Sequence, residues 1–158
     1  MRKAHREIKD KQAVVELLHE GQVLHLALND AGSGAPYVVP LSYAYADGRF
    51  YVHCATEGTK LDLMRADPRV GFSVVARYTL VNGPKACNAT AHFASVCGTG
   101  TARILTDDAE RRRGLDALAE RLAPAAERDY PDEVLARTCV VEIVPERLIA
   151  KRNPSPKD

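Results

Sequence analysis

The chain lacks tryptophan, has few aromatic side chains and carries almost no net charge. Of its 158 residues none is Trp, 6% are aromatic, and the formal net charge is +1. Binding to a nucleic-acid backbone needs a cluster of cations. The one basic cluster, Arg111-Arg112-Arg113, lies beside acidic residues in a helical pattern. This pattern favours a solvated helix face over an anion or partner contact, so we expect no nucleic-acid partner.

Closely spaced cysteines and long apolar runs are also lacking. The four cysteines, Cys54, Cys87, Cys97 and Cys139, form no CxxC motif, which argues against a zinc site. No apolar run approaches the roughly 20 residues of a membrane span. The charged start MRKAHREIKDK has no apolar signal-peptide core. These absences predict a cytoplasmic protein with reduced thiols and neither a metal nor a membrane partner.

The patterns that are present predict one domain over residues 1–158, with a polar arm at 1–9 and a tail at 153–158. Amphipathic stretches predict helices over 11–20, 58–67, 107–122 and 130–137. Between them lie alternating apolar runs and a hairpin signal at Asp47-Gly48. Consecutive strands joined by a hairpin favour antiparallel pairing over repeated βαβ units. We therefore predict a mainly β fold, a barrel of about six strands with peripheral helices.

Two local features refine the predicted sheet. Pro40 interrupts the strand YVVPLS and cannot donate to a ladder, so an edge position or a bulge is expected there. Gly98-Thr99-Gly100 neither completes a GxGxxG motif nor opens a helix. It predicts close backbone packing or a bulge instead of a dinucleotide site.

The stretch HCATEGTKLDLM, which begins at His53, sets small polar residues and a lysine between a strand and a helix. A helix N-terminus attracts anions, Gly58 permits close approach of a ligand, and Lys60 adds a positive charge. A phosphate site and an ordinary capped helix both remain open on this pattern. His53 fits either a packed structural residue or a ligand-facing proton donor, and Cys54 is expected to pack as a small apolar group.

The runs PYVVPLSYAY and GRFYVHCATEGTKLDLMRADPRVGFSV resemble the FMN-binding split β-barrel proteins of the pyridoxamine 5′-phosphate oxidase-like superfamily. SVCGTGTARIL and ARTCVVEIVPERLIAKRN resemble later strands of its nitroimidazole-resistance (5-nitroimidazole reductase) branch. The resemblance extends over roughly residues 8–153. It implies a six-stranded antiparallel split β-barrel, a homodimer, and an FMN cleft at the subunit interface.

The resemblance also implies which residues form the site. Residues 58–60 would hold the flavin phosphate, residues 39–42 would follow the isoalloxazine edge, and residues 53–55 would lie beside the ring or ribityl chain. His53 would face the substrate and is the candidate catalytic residue. The tail would approach the cleft of its own or of the partner subunit. The implied cofactor-binding residues are Val39, Pro40, Leu41, Ser42, His53, Cys54, Ala55, Gly58, Thr59, Lys60, Lys151 and Asn153.

One departure narrows the implied activity. Relatives that make pyridoxal phosphate carry Arg-Lys where this chain has Thr59-Lys60, and their substrate-phosphate residues are not found. We therefore expect no true pyridoxamine phosphate oxidase. We expect an FMN-dependent oxidoreductase that reduces a small electron-poor acceptor such as a nitroaromatic. Two alternatives stay open, namely haem or a deazaflavin in the same barrel, with His53 or His92 as a haem ligand, and a non-catalytic flavin carrier.

Overall fold

Eight strands, four α-helices and two short 3₁₀ helices form residues 4–153, the part of the chain that the computed structural model describes. The strands are β1 (Glu7–Ile8), β2 (Val23–Leu28), β3 (Tyr37–Ser42), β4 (Ala44–Ala46), β5 (Arg49–Cys54), β6 (Arg69–Val81), β7 (Thr90–Leu105) and β8 (Cys139–Asn153). The helices are α1 (Lys11–Glu20), α2 (Thr59–Ala66), α3 (Asp108–Leu122) and α4 (Asp132–Arg137), with 3₁₀ turns at Ala4–Arg6 and Ala86–Asn88.

The strands form one antiparallel sheet in the order β3-β2-β6-β7-β8-β5-β4, with β1 added beside β8. The two ends of this order, β3 and β4, are joined in the chain by Tyr43 alone. At Tyr43 the chain therefore stops pairing with β2 and begins pairing with β5. This change of partner rolls the sheet into a barrel. Its seam lies between residues 41–42 of β3 and residues 53–54 of β5, which no ladder among the described residues joins.

The predicted fold class, a mainly β antiparallel split barrel with peripheral helices, is confirmed. The structure has eight strands where the sequence predicted about six. Tyr43 divides one predicted strand into β3 and β4, and two residues of the predicted polar arm form β1, in which Glu7 pairs with Lys151. β8 continues as far as Asn153, the first residue of the predicted tail. Residues 1–3 of the arm and 154–158 of the tail lie outside the described residues.

The core fills the inside of the barrel. Phe50 lies at its centre, with its ring centroid 4.8 Å from those of Tyr45 and Phe72. Leu61 and Met64 of α2 are buried against the same cluster, and burying one such side chain stabilises the fold by about 1.5–3 kcal/mol. These two anchors fix α2 on the barrel and thereby fix the turn that precedes it.

Gly98 and Gly100 lie where β7 packs closely against its neighbouring strands β8 and β6. A Cβ at Gly98 would meet the carbonyl oxygen of Arg147 and would come 2.6 Å from Cζ of Phe72. The β7–β8 register shifts between Thr99 and Gly100, and Gly100 pairs with Pro145. Close backbone packing and a bulge were predicted as alternatives, and the structure has both.

Glu142 of β8 is the buried charge on the other face of the sheet, under α3. Its carboxylate accepts hydrogen bonds from Arg49 at 2.7 Å and from Arg103 at 3.1–3.2 Å. Burial raises the pKa of this carboxyl, but the two guanidinium groups outweigh that effect and hold the pKa below its usual value. The buried carboxylate is thus satisfied by two half-exposed arginines.

The basic run of α3 is not uniformly solvated. Arg112 and Arg113 are exposed, as expected. Arg111 is half-buried instead, and it donates hydrogen bonds to the carbonyl oxygens of Leu135 and Thr138. Since unpaired carbonyls at a helix C-terminus attract cations, Arg111 serves to cap α4 and tie it to α3. The sequence prediction of a solvated face was wrong for this one residue.

Candidate functional site

The turn between β5 and α2 has an uncommon helix start. Gly58 is the N-cap, with φ of 122°, and it provides no side-chain cap. Its carbonyl accepts from the amide of Leu61 at 2.9 Å. A left-handed φ of this size favours glycine, and the N–H groups of a first helical turn lack intrahelical acceptors. The ordinary side-chain cap that the sequence left open is therefore not formed, and the helix start remains suited to an anion.

Lys60 lies in the first turn of α2, where a cation opposes the helix dipole. Its side chain is half-buried, and Thr59 beside it is exposed. The charge of Lys60 acts on the Cys54 thiol at the end of β5. The first turn of α2 is therefore close to the end of β5, which carries His53 and Cys54. Ala55 follows directly after this strand.

β3 is a sheet edge, and among the described strands it pairs only with β2. Pro40 lies opposite His25 in this edge strand, which confirms the edge position expected from its missing N–H. Val39 and Leu41 pack towards the barrel core, whereas Pro40 and Ser42 are exposed. An edge strand presents unpaired backbone N–H and C=O groups that are available to a further hydrogen-bonding partner.

Ser42 and His53 lie on the two sides of the seam. Ala44 pairs with Tyr51 in the β4–β5 ladder, and continuing that register would place Ser42 opposite His53. The β4–β5 ladder ends at Ala44, however, and no ladder among the described residues joins β3 to β5. His53 is exposed on β5 and pairs with Val140 of β8. The Ser42 hydroxyl and the His53 imidazole are therefore exposed on the two sides of the seam.

Cys54 has a partner that the sequence did not reveal. It pairs with Cys139 across β5 and β8, and both side chains pack against the barrel core. A hydrogen bond with Cys139 lowers the pKa of Cys54 to about 7 although burial opposes this, and the charge of Lys60 adds to the decrease. The same hydrogen bond, together with burial, raises the pKa of Cys139. Only the β5–β8 register could have identified this pair, because 84 residues separate the two cysteines in the chain.

Lys151 and Asn153 lie at the opposite end of β8 from Cys139. Lys151 is twelve positions along the strand from Cys139, a distance of up to about 40 Å. Lys151 pairs with Ser95, and the Asn153 side chain donates to the carbonyl of Ala91 at 2.5 Å. Within one chain the structure does not bring these two residues to the turn at residues 53–60. Their predicted approach to a cofactor therefore requires a second subunit and stays a prediction.

His25 is a further candidate ligand-binding residue, and the sequence analysis did not predict it. It is exposed on β2, directly opposite Pro40. It lines a shallow groove with Val23, Val75 and Tyr78, whose side chains are 39%, 46% and 62% exposed. Alternation along VLHLAL could have placed His25 on the outer face, but only the strand order places it beside β3.

His92 lies in a different part of the molecule. It is half-buried in a cleft of about 540 Å³ between α1, β1 and the far ends of β6, β7 and β8. Arg77 and Arg152 contribute positive charge to this cleft, and Glu7 and Glu16 contribute negative charge. His92 is therefore well separated from the seam and the α2 turn, and the two candidate haem ligands lie in different sites.

The sequence predicted neither a metal site nor a membrane-spanning segment, and the structure bears on both within residues 4–153. No group of three or more His, Cys, Asp or Glu side chains is arranged there to hold a metal ion. None of the helices described there is both long and apolar enough to cross a membrane.

The family model for pyridoxamine 5′-phosphate oxidase matches residues 10–152. No curated protein matches the chain. Among solved structures, a proposed 5-nitroimidazole antibiotic resistance protein from Bacteroides thetaiotaomicron is 22% identical with a TM-score of 0.81, over 92% of this chain and 86% of that one. The FAD and heme binding protein from Mycobacterium smegmatis is 21% identical with a TM-score of 0.85, over 95% and 74%. A FAD-binding protein from Mesorhizobium loti is 26% identical with a TM-score of 0.68, over 94% and 98%.

Proposed function

The chain belongs to the pyridoxamine 5′-phosphate oxidase family, and on that basis we propose that it is an FMN-binding oxidoreductase that reduces a small electron-poor acceptor. The observation that supports this most strongly is the start of α2. Gly58 leaves that helix without a side-chain cap, and Lys60 places a cation in its first turn. An anionic ligand would use both features at once.

Gly58, Thr59 and Lys60 would hold the flavin phosphate. The amide groups of the first turn would donate to its oxygens, the exposed Thr59 hydroxyl would add a donor, and Lys60 would neutralise charge. One cation and one helix start fit a single phosphate group, which supports FMN. The similar FAD-binding proteins make FAD the competing ligand to test.

The exposed edge of β3 would orient the ring. Backbone groups from Val39 to Ser42 lie along the seam, and the Ser42 hydroxyl can donate or accept a hydrogen bond. Pro40 removes one donor and so leaves acceptors in excess at that level. Val39 and Leu41 anchor the strand in the core. The inward-facing side chains therefore hold the edge strand in place, and its free backbone groups and the Ser42 hydroxyl would bind the flavin ring.

When bound, the flavin supplies the electron-transfer chemistry. His53 would meet the substrate at the other side of the seam, where its exposed imidazole can orient an acceptor or donate a proton. A nitroaromatic acceptor is our specific proposal. The similar fold of a proposed 5-nitroimidazole antibiotic resistance protein supports it.

We further propose a homodimer. The outer face of β2, β3 and β6 exposes Val23, Val38, Val75 and Tyr78, with Val38 58% and Tyr78 62% exposed. Apolar side chains grouped on one face are typical of an interaction surface. A second copy docked here would cover His25 and the β3 edge and would complete the cleft. Light scattering of the wild type and of a Val75→Asp variant tests this, since the charge at an apolar interface should shift the mass towards that of a single chain.

The spectrum of the freshly purified protein tests the proposed cofactor, and turnover tests the activity. Flavin absorbance, released by heat and identified as FMN by chromatography, together with NADH- or NADPH-dependent reduction of a nitroaromatic, is expected. FMN that binds but is never reduced would favour a flavin carrier. Absence of flavin absorbance both after purification and after addition of FMN would contradict the proposal.

Haem is a second candidate, and the His92 cleft favours it. An imidazole is half-buried there beside Phe93, and Arg152 could pair with a propionate, whereas Arg77 is already paired with Glu20. The protein from Mycobacterium smegmatis with this fold binds both FAD and heme. A Soret band on addition of haem that disappears in His92→Ala, but not in His53→Ala, would support haem in this cleft.

A further inference from the structure

Cys54 and Cys139 are directly opposed across antiparallel strands. They form the last pair of the β5–β8 ladder, next to the turn that leads into α2. Directly opposed residues in such strands have Cα atoms roughly 4.5 or 5.5 Å apart. Disulfides span Cα separations of roughly 4.4–6.8 Å. Both cysteines are free thiols, so the pair is within bonding reach without a rearrangement of the strands.

The two thiols differ in accessibility. Cys54 is half-buried at the open end of β5, whereas only 8% of Cys139 is exposed. A reagent in solution can therefore reach Cys54 first, and Cys139 is placed to react with whatever forms there. This division resembles that of an attacking and a resolving cysteine.

Nearby cations act on both thiols and do not separate them. The charge of Lys60 lowers the pKa of Cys54, and the charges of Arg65 and Arg111 lower that of Cys139. The interaction between the two thiols lowers the pKa of Cys54 and raises that of Cys139. At neutral pH Cys54 is then the nucleophile of the pair.

We propose that Cys54 and Cys139 form a thiol–disulfide exchange site whose substrate is a low-molecular-weight disulfide. The Cys54 thiolate attacks one sulfur of that disulfide, a mixed disulfide forms, and one thiolate leaves. Cys139 then loses its proton to solvent and attacks Sγ of Cys54, which forms the Cys54–Cys139 bond and expels the second thiol. Two protein thiols are oxidised and one small disulfide is reduced to two thiols. The exchange chemistry uses no flavin, although Cys54 lies next to the turn proposed for the flavin phosphate.

The other two cysteines provide a matched background. Cys87 lies exposed in a 3₁₀ turn, and exposed Cys97 contacts the Ser73 hydroxyl at 3.4 Å. A Cys87→Ser/Cys97→Ser protein retains only the proposed pair. Circular dichroism would establish that this protein and its derivatives keep the β-rich fold.

The test treats this background protein with oxidised glutathione and follows it by intact-mass spectrometry and thiol counting. We expect both thiols to disappear, no glutathione to be retained, and a Cys54–Cys139 peptide link to appear that dithiothreitol reverses. Adding Cys139→Ser should trap glutathione on Cys54. Adding Cys54→Ser should slow the reaction about tenfold or more, because Cys139 is buried and protonated.

Two results would overturn the proposal. One is glutathione that stays on Cys54 while Cys139 is present, because the second exchange step would then not occur. The other is equal reaction rates for the Cys54→Ser and Cys139→Ser derivatives, because the two thiols would then have no separate roles.

Discussion

The Tyr43 hydroxyl donates a hydrogen bond to the backbone carbonyl of Leu18 at 2.5 Å, which ties the barrel seam to the last turn of α1. Tyr43 is 1% exposed, and burial raises its pKa to about 12, so the phenol remains a donor across the physiological range. It is also the single residue between β3 and β4. The hydrogen bond to α1 thus fixes the position at which the chain changes its pairing partner from β2 to β5.

Tyr43→Phe is expected to lower the free energy of unfolding by about 1–2 kcal/mol, because the Leu18 carbonyl loses its buried donor. Urea titration measures this difference. Tyr45→Phe is the control, since the Tyr45 ring packs on Phe50 and no hydrogen bond of its hydroxyl is seen among the described residues. Equal losses in the two variants would show that the hydrogen bond does not hold the seam.

Glu142→Gln should destabilise the protein by about 1–3 kcal/mol at pH 7, because two guanidinium groups lose their buried carboxylate. The pKa of Glu142 is lowered in the folded protein, so its contribution is present above the unfolded-state pKa and is lost as the pH falls through the folded-state pKa. The difference between wild type and variant should therefore shrink below about pH 4.5. Unfolding measured at both pH values checks this, and a gap that stays constant between them would contradict the assignment.

Gly98→Ala should destabilise the barrel by about 1–3 kcal/mol or more, because the new methyl group would meet the Arg147 carbonyl and the Phe72 ring. Gly71→Ala is the matched control on the neighbouring strand, where the methyl group would lie 3.7 Å from Cβ of Ala27. Thermal unfolding of both variants tests the close approach. A Gly98→Ala protein as stable as Gly71→Ala would show that β7 does not pack closely against the Arg147 carbonyl and the Phe72 ring.

His53→Gln should reduce turnover of a nitroaromatic acceptor about tenfold to a hundredfold while FMN affinity changes little, since the exposed imidazole is proposed to meet the acceptor and not the phosphate. Steady-state kinetics and flavin fluorescence separate the two effects. His5→Gln, an exposed histidine in the first 3₁₀ turn, is the control. Full turnover in His53→Gln would exclude a catalytic role for this histidine.

Local sequence rules predicted much of the fold. The predicted helices at residues 11–20 and 107–122 correspond to α1 and α3, which the structure begins at the N-caps Asp10 and Asp107. Pro40 predicted the sheet edge, and Gly98 and Gly100 predicted the close packing of β7 against β8. Each of these features depends on residues that are close in the chain or on a backbone property of one residue type.

Features that depend on register between distant strands could not be predicted. Cys54 faces Cys139, and Arg111 caps a helix more than 20 residues ahead in the chain, because of how β8 and α3 pack. The residues predicted at the proposed flavin turn are contiguous in sequence, which is why a motif could identify them. Lys151 was grouped with that turn by resemblance alone, and strand geometry places it at the other end of β8.

The affinity of the protein for FMN and for riboflavin, measured with wild type and Lys60→Ala, tests the central claim most directly. The two flavins share the ring and differ in the phosphate. Charge-assisted hydrogen bonds contribute about 1.5–3 kcal/mol, so we predict that Lys60→Ala weakens FMN binding about tenfold to a hundredfold and leaves riboflavin binding unchanged. Arg65→Ala, on the last turn of the same helix and paired with Asp62, should change neither affinity. Equal affinities of the wild type for FMN and riboflavin, or an unchanged FMN affinity in Lys60→Ala, would contradict a phosphate site at the start of α2.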